Sequence, residues 1–290
     1  MSFVTPESLA ASCAKSQERM IWLAKLPAAI DELVKRWSIS AVGPPFDGED
    51  VSCAWVAPVA CADGKPAVLK IGMPHMEAEH EIAGLRLLDG EPTVRLLDFD
   101  EEQNAMLLER CVPGTSLRSM FQPDQDVVIA GLLKRFWRAL PDDHEFRPLS
   151  TLVTFWTEET LADESRWYDR EIVSEGLRAL DYLSDSFSSN ILLATDLHAG
   201  NVLASKREPW LVIDPKPFVG DPAYDATQHL LNCRSRLRTD GYATMRRFAD
   251  LLEVDFDRMR QWTFARFAAE PRDEWDDDAT ELARAIGRGL

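Results

Sequence analysis

No apolar run in the 290 residues approaches the roughly 20 that a helix needs to cross a bilayer. The N-terminus, MSFVTPESLAASCAKSQERM, lacks a basic segment followed by an apolar core, so no secretory signal is expected. Cysteine is sparse: Cys13, Cys53, Cys61, Cys111 and Cys233 are odd in number and contain no C-x-x-C pair. That pattern supports neither a disulfide framework nor a thiolate metal site, and reduced thiols in a cytoplasmic protein are the expectation. Positive charge is in deficit, with 32 Lys and Arg against 49 Asp and Glu and a formal net charge of −17. Phosphate backbones are bound by clustered Lys and Arg, so a nucleic-acid partner is not expected, nor is a membrane. An acidic surface keeps a protein in solution and would also attract a polycationic small molecule. The composition that remains, 46% hydrophobic and 28% charged, is that of a globular protein long enough for two modest lobes.

The stretch from 190 to 225 organises the rest. Ile191-Leu192-Leu193 reads as a short buried strand, and Asp196-Leu197-His198-Ala199-Gly200-Asn201 follows as a tight loop. Val202-Leu203, a charged turn from Ser205 to Pro209 and the strand-like Trp210-Leu211-Val212-Ile213 then deliver Asp214. Pro215 bars simple continuation of a central strand. Two carboxylates and one amide set near strand ends suit phosphoryl transfer with bound magnesium. One carboxylate orients or deprotonates a hydroxyl, while an amide oxygen and a second carboxylate hold the metal. The spacing Asp-x4-Asn matches the catalytic loop of protein kinases, with Asp214 where their metal-binding Asp stands.

Before this stretch, residues 6–37 read as helical, with a break expected at Pro27 as the first turn of a second helix. Five β-like runs follow: 38–42, 51–59, 67–71, 93–99 and 105–108. The first connection has two glycines and no G-x-G-x-x-G, which makes it a poor phosphate cradle; Asp63-Gly64 is a good hairpin turn. Lys70, in Ala67-Val68-Leu69-Lys70-Ile71, points away from Leu69 and Ile71, which alone reads as a solvent-facing lysine. Beside the Asp196 set it becomes the lysine expected on the ATP phosphates. Such a lysine wants a carboxylate from the following helix, expected over 73–88, and Glu81 is preferred to Glu77 because it lies one turn from Leu85. Glu109-Arg110-Cys111-Val112-Pro113-Gly114 breaks the pattern as a linker. From residue 124 the pattern is mainly helical, with helices expected over 124–140, 149–162, 165–183, 225–236, 242–252, 255–270 and 277–286. Asp225 would cap a helix or bond catalytic-loop amides.

These pieces resemble the aminoglycoside phosphotransferases, in the branch with streptomycin 6-kinases and hydroxyurea kinases. AVLKI around Lys70, HEIAGLRLL around Glu81, LLERCVPGTSL, DLHAGNVL, WLVIDPKPFVGDPAYD and QWTFARF carry the resemblance in order along most of the chain. It implies an α+β, protein-kinase-like bilobal fold. Residues 1–108 would form an N-terminal lobe with a five-stranded antiparallel sheet and a helix, 109–114 a hinge, and 115–290 a helical C-terminal lobe. It implies Asp196 as the catalytic base or hydroxyl-orienting residue, and Asn201 and Asp214 as Mg²⁺ ligands. Lys70, braced by Glu81, would hold the ATP phosphates, and Glu109 with Cys111 would meet adenine through the main chain. The sequence departs from the kinase pattern at Ala194, where a histidine usually precedes the catalytic Asp.

A cationic acceptor would need carboxylates, for which Asp163, Glu164, Glu270 and Glu274 are the candidates. The expectation is thus an ATP- and Mg²⁺-dependent kinase of a small antibiotic such as streptomycin, acting as a monomer or weak homodimer. The rival readings are a small-metabolite kinase for choline, a sugar or an amino alcohol, and a nucleotide-binding pseudokinase.

Overall fold

The computed structural model describes residues 4–48, 53–186, 189–272 and 275–288. By internal packing the chain divides into two units, Met1–Thr115 with Leu203–Ile213, and Ser116–Val202 with Asp214–Leu290. In chain order the elements are α1 (Glu7–Cys13), α2 (Gln17–Arg36), β1 (Ile39–Val42), β2 (Ala54–Cys61), β3 (Pro66–Gly72), α3 (Glu81–Leu88), β4 (Leu96–Asp100), β5 (Ala105–Glu109) and β6 (Pro113–Ser116). Next come α4 (Gln122–Phe136), α5 (Leu149–Ala162), α6 (Arg170–Asp185), β7 (Leu192–Leu193), β8 (Val202–Ser205), β9 (Trp210–Val212) and β10 (Phe218–Val219). The chain closes with α7 (Pro222–Leu231), α8 (Arg234–Leu252), α9 (Phe256–Ala269) and α10 (Asp277–Gly287).

In the first unit a five-stranded sheet runs in the order β1–β2–β3–β5–β4, with every neighbouring pair antiparallel. The turn Ala62–Lys65 joins β2 to β3, with Gly64 at φ 80°, a backbone that glycine adopts without strain. One face of the sheet presents Leu69 and Ile71 to Leu26, Ile30 and Leu33 of α2 and Leu9 of α1. The other packs Val68, Met106 and Leu108 against Ile82 and Leu85 of α3. Burial on both faces is why β3 departs from clean alternation: Lys70 is only 7% exposed.

Three differences from the sequence reading have physical causes. First, α2 runs unbroken through Pro27. The proline removes one helical N–H bond, but Leu26, Ile30 and Leu33 bury one continuous face across it. Second, the helix expected over 73–88 splits into a single turn at Met76–Ala78 and α3, which begins at Glu81. The His75 ring accepts the Glu77 amide and makes that turn self-contained. Third, the helix expected over 225–236 ends at Leu231, and α8 starts at Arg234. The α8 helix absorbs the segment 242–252 through non-helical backbone at Asp240. The expected start of β2 at Val51 lies outside the described residues.

In the second unit α9 is the central helix, packed against α6, α7 and α10. Gly176 of α6 allows close approach, since a Cβ there would stand 2.6 Å from that of Ala268. Asp221 caps α7 by accepting the Ala223 amide at 2.9 Å. Its other oxygen accepts from Trp262 Nε1 at 2.6 Å and Arg258 Nε at 2.5 Å, so α9 fixes where α7 begins. A buried charge cluster ties α4, α7 and α8: Asp126 meets His229 Nε2 at 2.8 Å and both terminal nitrogens of Arg236 at 2.8 and 2.7 Å.

Candidate active site

Lys70 is paired with Met106 on one side and Val56 on the other in the sheet, which directs its side chain to the α3 face. There Nζ meets both carboxylate oxygens of Glu81 at 2.6 Å. Glu81 is the first residue of α3 and 1% exposed, so the ammonium is held by a buried carboxylate near the positive end of a helix dipole. Glu77, the alternative from the sequence, lies in the preceding turn.

Also within the first unit, Glu109 ends β5, and its side chain is bound by Arg207 Nε and Nη2 at 2.8 to 3.1 Å. Burial works to raise the Glu109 carboxyl, but the Arg207 guanidinium and the Arg95 amide hold it below its ordinary value. Its own N–H donates to the Arg95 carbonyl at 2.9 Å. Cys111 is 9% exposed, and burial pushes its thiol up to about 11. The sulfur is therefore neutral and unreactive at neutral pH.

In the second unit, β7 pairs antiparallel with β10, and the loop leaving β7 carries Ala194, Thr195 and Asp196. This loop is held from below by Asp225 of α7, which is fully buried. One oxygen of Asp225 accepts the Thr195 amide at 2.6 Å; the other accepts the Ala194 amide at 2.8 Å and Trp137 Nε1 at 2.9 Å. Burial pushes the Asp225 carboxyl up to about 6, and the N–H donors of Ala194, Trp137 and Thr195 limit the rise. Of its two expected roles, Asp225 takes the bracing one, because Asp221 is the cap. Ala194 itself is 0% exposed, and its carbonyl accepts the amides of Asp196 at 2.7 Å and Lys216 at 3.1 Å. Thr195 and Asp214 both adopt left-handed backbone, at φ 50° and 52°. Non-glycine residues in that region cost about 1–3 kcal/mol each, strain that concentrates at functional loops.

Asp196 presents both carboxylate oxygens to donors. Lys216 Nζ lies 2.7 Å from Oδ2, and Gln228 Nε2 lies 2.7 Å from Oδ1. Lys216 is anchored at its main chain as well, since its carbonyl accepts the Thr195 hydroxyl at 2.5 Å. Behind Asp196 the loop makes a 3₁₀ turn over Ala199–Asn201, where the His198 ring accepts the Gly200 amide. At Gly200 a Cβ would come within 2.6 Å of the His198 ring and 2.7 Å of the Arg118 guanidinium, so a side chain there would require these groups to shift.

Asn201 Nδ2 donates to the Asp196 carbonyl at 3.0 Å, which orients the amide so that its oxygen is the end left to face a ligand. An amide oxygen from Asn201 and a carboxylate from Asp214 are the hard oxygen donors that magnesium takes, so these two residues fit that ion. Lys216, Gln228 and Arg266 were not anticipated from the sequence. Lys216 had a visible cue, two residues past Asp214 in Asp-Pro-Lys, and Arg266 stands inside QWTFARF.

Three of the four acidic residues considered for a cationic acceptor have arginine partners. Asp163 is paired with Arg166 at 2.9 Å and Glu164 with Arg170 at 2.5 Å, both at the surface. Glu270 forms a two-pronged pair with Arg266, at 2.9 Å for each contact. Glu274 lies outside the described residues.

An antiparallel five-stranded sheet followed by a mainly helical remainder defines a protein-kinase-like fold. The structure is similar to the choline kinase LicA from Streptococcus pneumoniae, with a TM-score of 0.61 and 15% identity over 93% of this chain and 99% of that one. It is also similar to a macrolide 2'-phosphotransferase type I, at a TM-score of 0.52 and 15% identity over 91% and 96% of the two chains. Residues 36–278 match the profile of the aminoglycoside/hydroxyurea antibiotic resistance kinases, and the chain belongs to that family. It is 37% identical to a streptomycin 6-kinase from Streptomyces griseus over 96% of this chain and 93% of the relative. It is 35% identical to a hydroxyurea phosphotransferase from Kitasatospora aureofaciens, over 83% and 71% of the two chains.

Proposed function

We propose that the chain is an ATP- and Mg²⁺-dependent O-phosphotransferase whose acceptor is a hydroxyl of a cationic aminoglycoside, with streptomycin the first compound to test. The observation that carries the reading is the Asp196 carboxylate, held by donors on both oxygens, on a loop that also presents the Asn201 amide oxygen. In this reaction Asp196 orients the acceptor hydroxyl and takes its proton as the acceptor oxygen forms a bond to the γ-phosphorus. The bond from that phosphorus to the oxygen bridging to the β-phosphate breaks, and ADP departs with the electron pair. Lys70, fixed by Glu81, holds the ATP phosphates; the Glu109 carbonyl and the Cys111 N–H meet the adenine edge. Asn201 and Asp214 would hold magnesium, which when bound neutralises charge on the phosphates. Relatives that are 37% and 36% identical over nearly the whole chain and named streptomycin 6-kinases support the acceptor class.

Incubation with Mg-ATP and streptomycin, followed by mass spectrometry, should show acceptor carrying one added phosphoryl group. Asp196→Ala should remove that product while Mg-ATP binding stays near wild type; turnover that survives the substitution would refute the role given to Asp196. Product from choline or a sugar, with none from any aminoglycoside, would instead assign a small-metabolite kinase. Absence of thermal stabilisation by saturating nucleotide would count against both kinase readings.

A further inference from the structure

Asp196 is reached from α9 by a chain of side chains that its chemistry alone does not demand. Arg266 is 2% exposed and projects from α9. Its Nη2 donates to Gln228 Oε1 at 2.6 Å, and Gln228 Nε2 donates to Asp196 Oδ1 at 2.7 Å. Every nitrogen of the guanidinium has a partner: Nη1 donates to the Thr227 hydroxyl at 2.7 Å, while Nε and Nη2 donate to the two oxygens of Glu270. The cation also lies 5.2 Å from the Trp156 ring centroid and 5.0 Å from that of Tyr224.

Two features mark this arrangement as more than packing. A glutamine amide has a donor end and an acceptor end that interchange by a half-turn. A guanidinium only donates. Arg266 therefore forces Oε1 toward itself and Nε2 toward Asp196. A buried ion pair is also a poor source of stability, because desolvation cancels much of the attraction and an apolar replacement is often as stable. What such a pair supplies is fixed geometry, and here that geometry ends on a carboxylate oxygen of Asp196. With Gln228 on Oδ1 and Lys216 on Oδ2, the carboxylate plane is set, and each oxygen keeps a second lone pair for an incoming hydroxyl.

We propose that Arg266, held by Glu270, acts through Gln228 as a positioning relay that sets the orientation of the Asp196 carboxylate for accepting the hydroxyl proton. This rests on the phosphotransfer reading above and gives QWTFARF a role beyond the core. Glu270 then neutralises Arg266, and does not serve as a contact for a cationic acceptor.

Gln228 is the position to test, because it is half-buried and its replacement leaves the Arg266–Glu270 pair in place. Gln228→Leu removes the donor to Asp196. Gln228→Glu keeps an acceptor for Arg266 but sets a second carboxylate against Asp196. Both should lower kcat by about 10- to 100-fold, with KM for ATP and the thermal midpoint near wild type, since a small misorientation of a reacting group carries penalties of that size. The two variants should then separate by pH. Carboxylates that share a site compete for ionisation and one retains its proton, so the carboxyl introduced by Gln228→Glu becomes a donor as pH falls. The charged groups bonded to residue 228 are Asp196 and Arg266, with Lys216 bonded to Asp196 and Glu270 to Arg266, and these are the same in both variants. The kcat of Gln228→Glu, divided by that of wild type, should therefore rise below neutral pH, while that of Gln228→Leu stays flat. Wild-type kcat in both variants overturns the relay. So does a fall in kcat that tracks the thermal midpoint without recovery in acid, which would make the role structural. A wild-type chain that phosphorylates no acceptor sinks the phosphotransfer reading itself, and the relay with it.

Discussion

Lys70 carries its charge into a strand covered on both faces, and the Glu81 carboxylate meets it there at 2.6 Å. Removing one partner of a buried pair leaves an uncompensated charge and costs about 3–5 kcal/mol. Glu81→Gln should therefore lower the stability of the first unit by an amount in that range, read from denaturant unfolding, and should raise KM for ATP if Lys70 holds the phosphates. His229 offers a test of the opposite kind. Burial works to lower the imidazole, but Asp126 at 2.8 Å and the nearby Cys233 outweigh it and push His229 up to about 9. Nδ1 is without a partner among the described residues, which offsets part of that gain. A folded value above the unfolded one of 6.5 means that stability is fully present below pH 6.5 and is lost as pH rises through about 9. Unfolding free energy measured across that window should fall with pH, and Asp126→Asn should flatten the slope. At this scale the sequence marked Asp196, Asn201 and Asp214 as candidates by their short spacings, and Lys70 only once that set was in view. It was silent on Gln228, whose role depends on Asp196, 32 residues away.

The loop that carries Asp196 is one element hung from another. A single carboxylate on α7 takes two successive amides, Ala194 and Thr195, and an indole nitrogen from Trp137 just past α4. Asparagine at 225 has one acceptor oxygen and turns an NH₂ toward groups that are themselves donors. Leaving a buried N–H unsatisfied costs about 1–3 kcal/mol, so Asp225→Asn should destabilise the second unit by that order. It should also depress kcat more than KM, because the loop carries Asp196. Wild-type kcat in this variant would show that the loop keeps its shape without the brace. Helix boundaries were the less legible part of the elements. Pro27 reads locally as a helix start, yet α2 continues through it because its buried face is continuous. The left-handed backbone at Asp89, the His75-capped turn and the non-helical backbone at Asp240 are likewise features that periodicity alone does not register.

Over the whole molecule the net charge of −17 should show itself in kinetics. An acidic protein draws a polycation from solution, and salt screens that attraction. Raising ionic strength should thus lower kcat/KM for an aminoglycoside and leave that for a neutral alcohol nearly unchanged; equal salt response for the two would exclude electrostatic recruitment. Among the described residues no helix is long and apolar enough to cross a membrane. The five strand segments of the first sheet, the mainly helical character from residue 124 onward, the lysine-bearing strand and the D-x4-N loop followed by a strand and Asp214 could all be read from the chain. Hydrophobic period and motif spacing are properties of neighbours in sequence, and they survive without any knowledge of packing. The tertiary structure alone decided that Lys216 and Gln228 grip Asp196, that Arg266 stands behind Gln228, and that Asp225 braces the loop. Those contacts join residues 20 to 38 positions apart, so only the packed helices bring them within reach of one another.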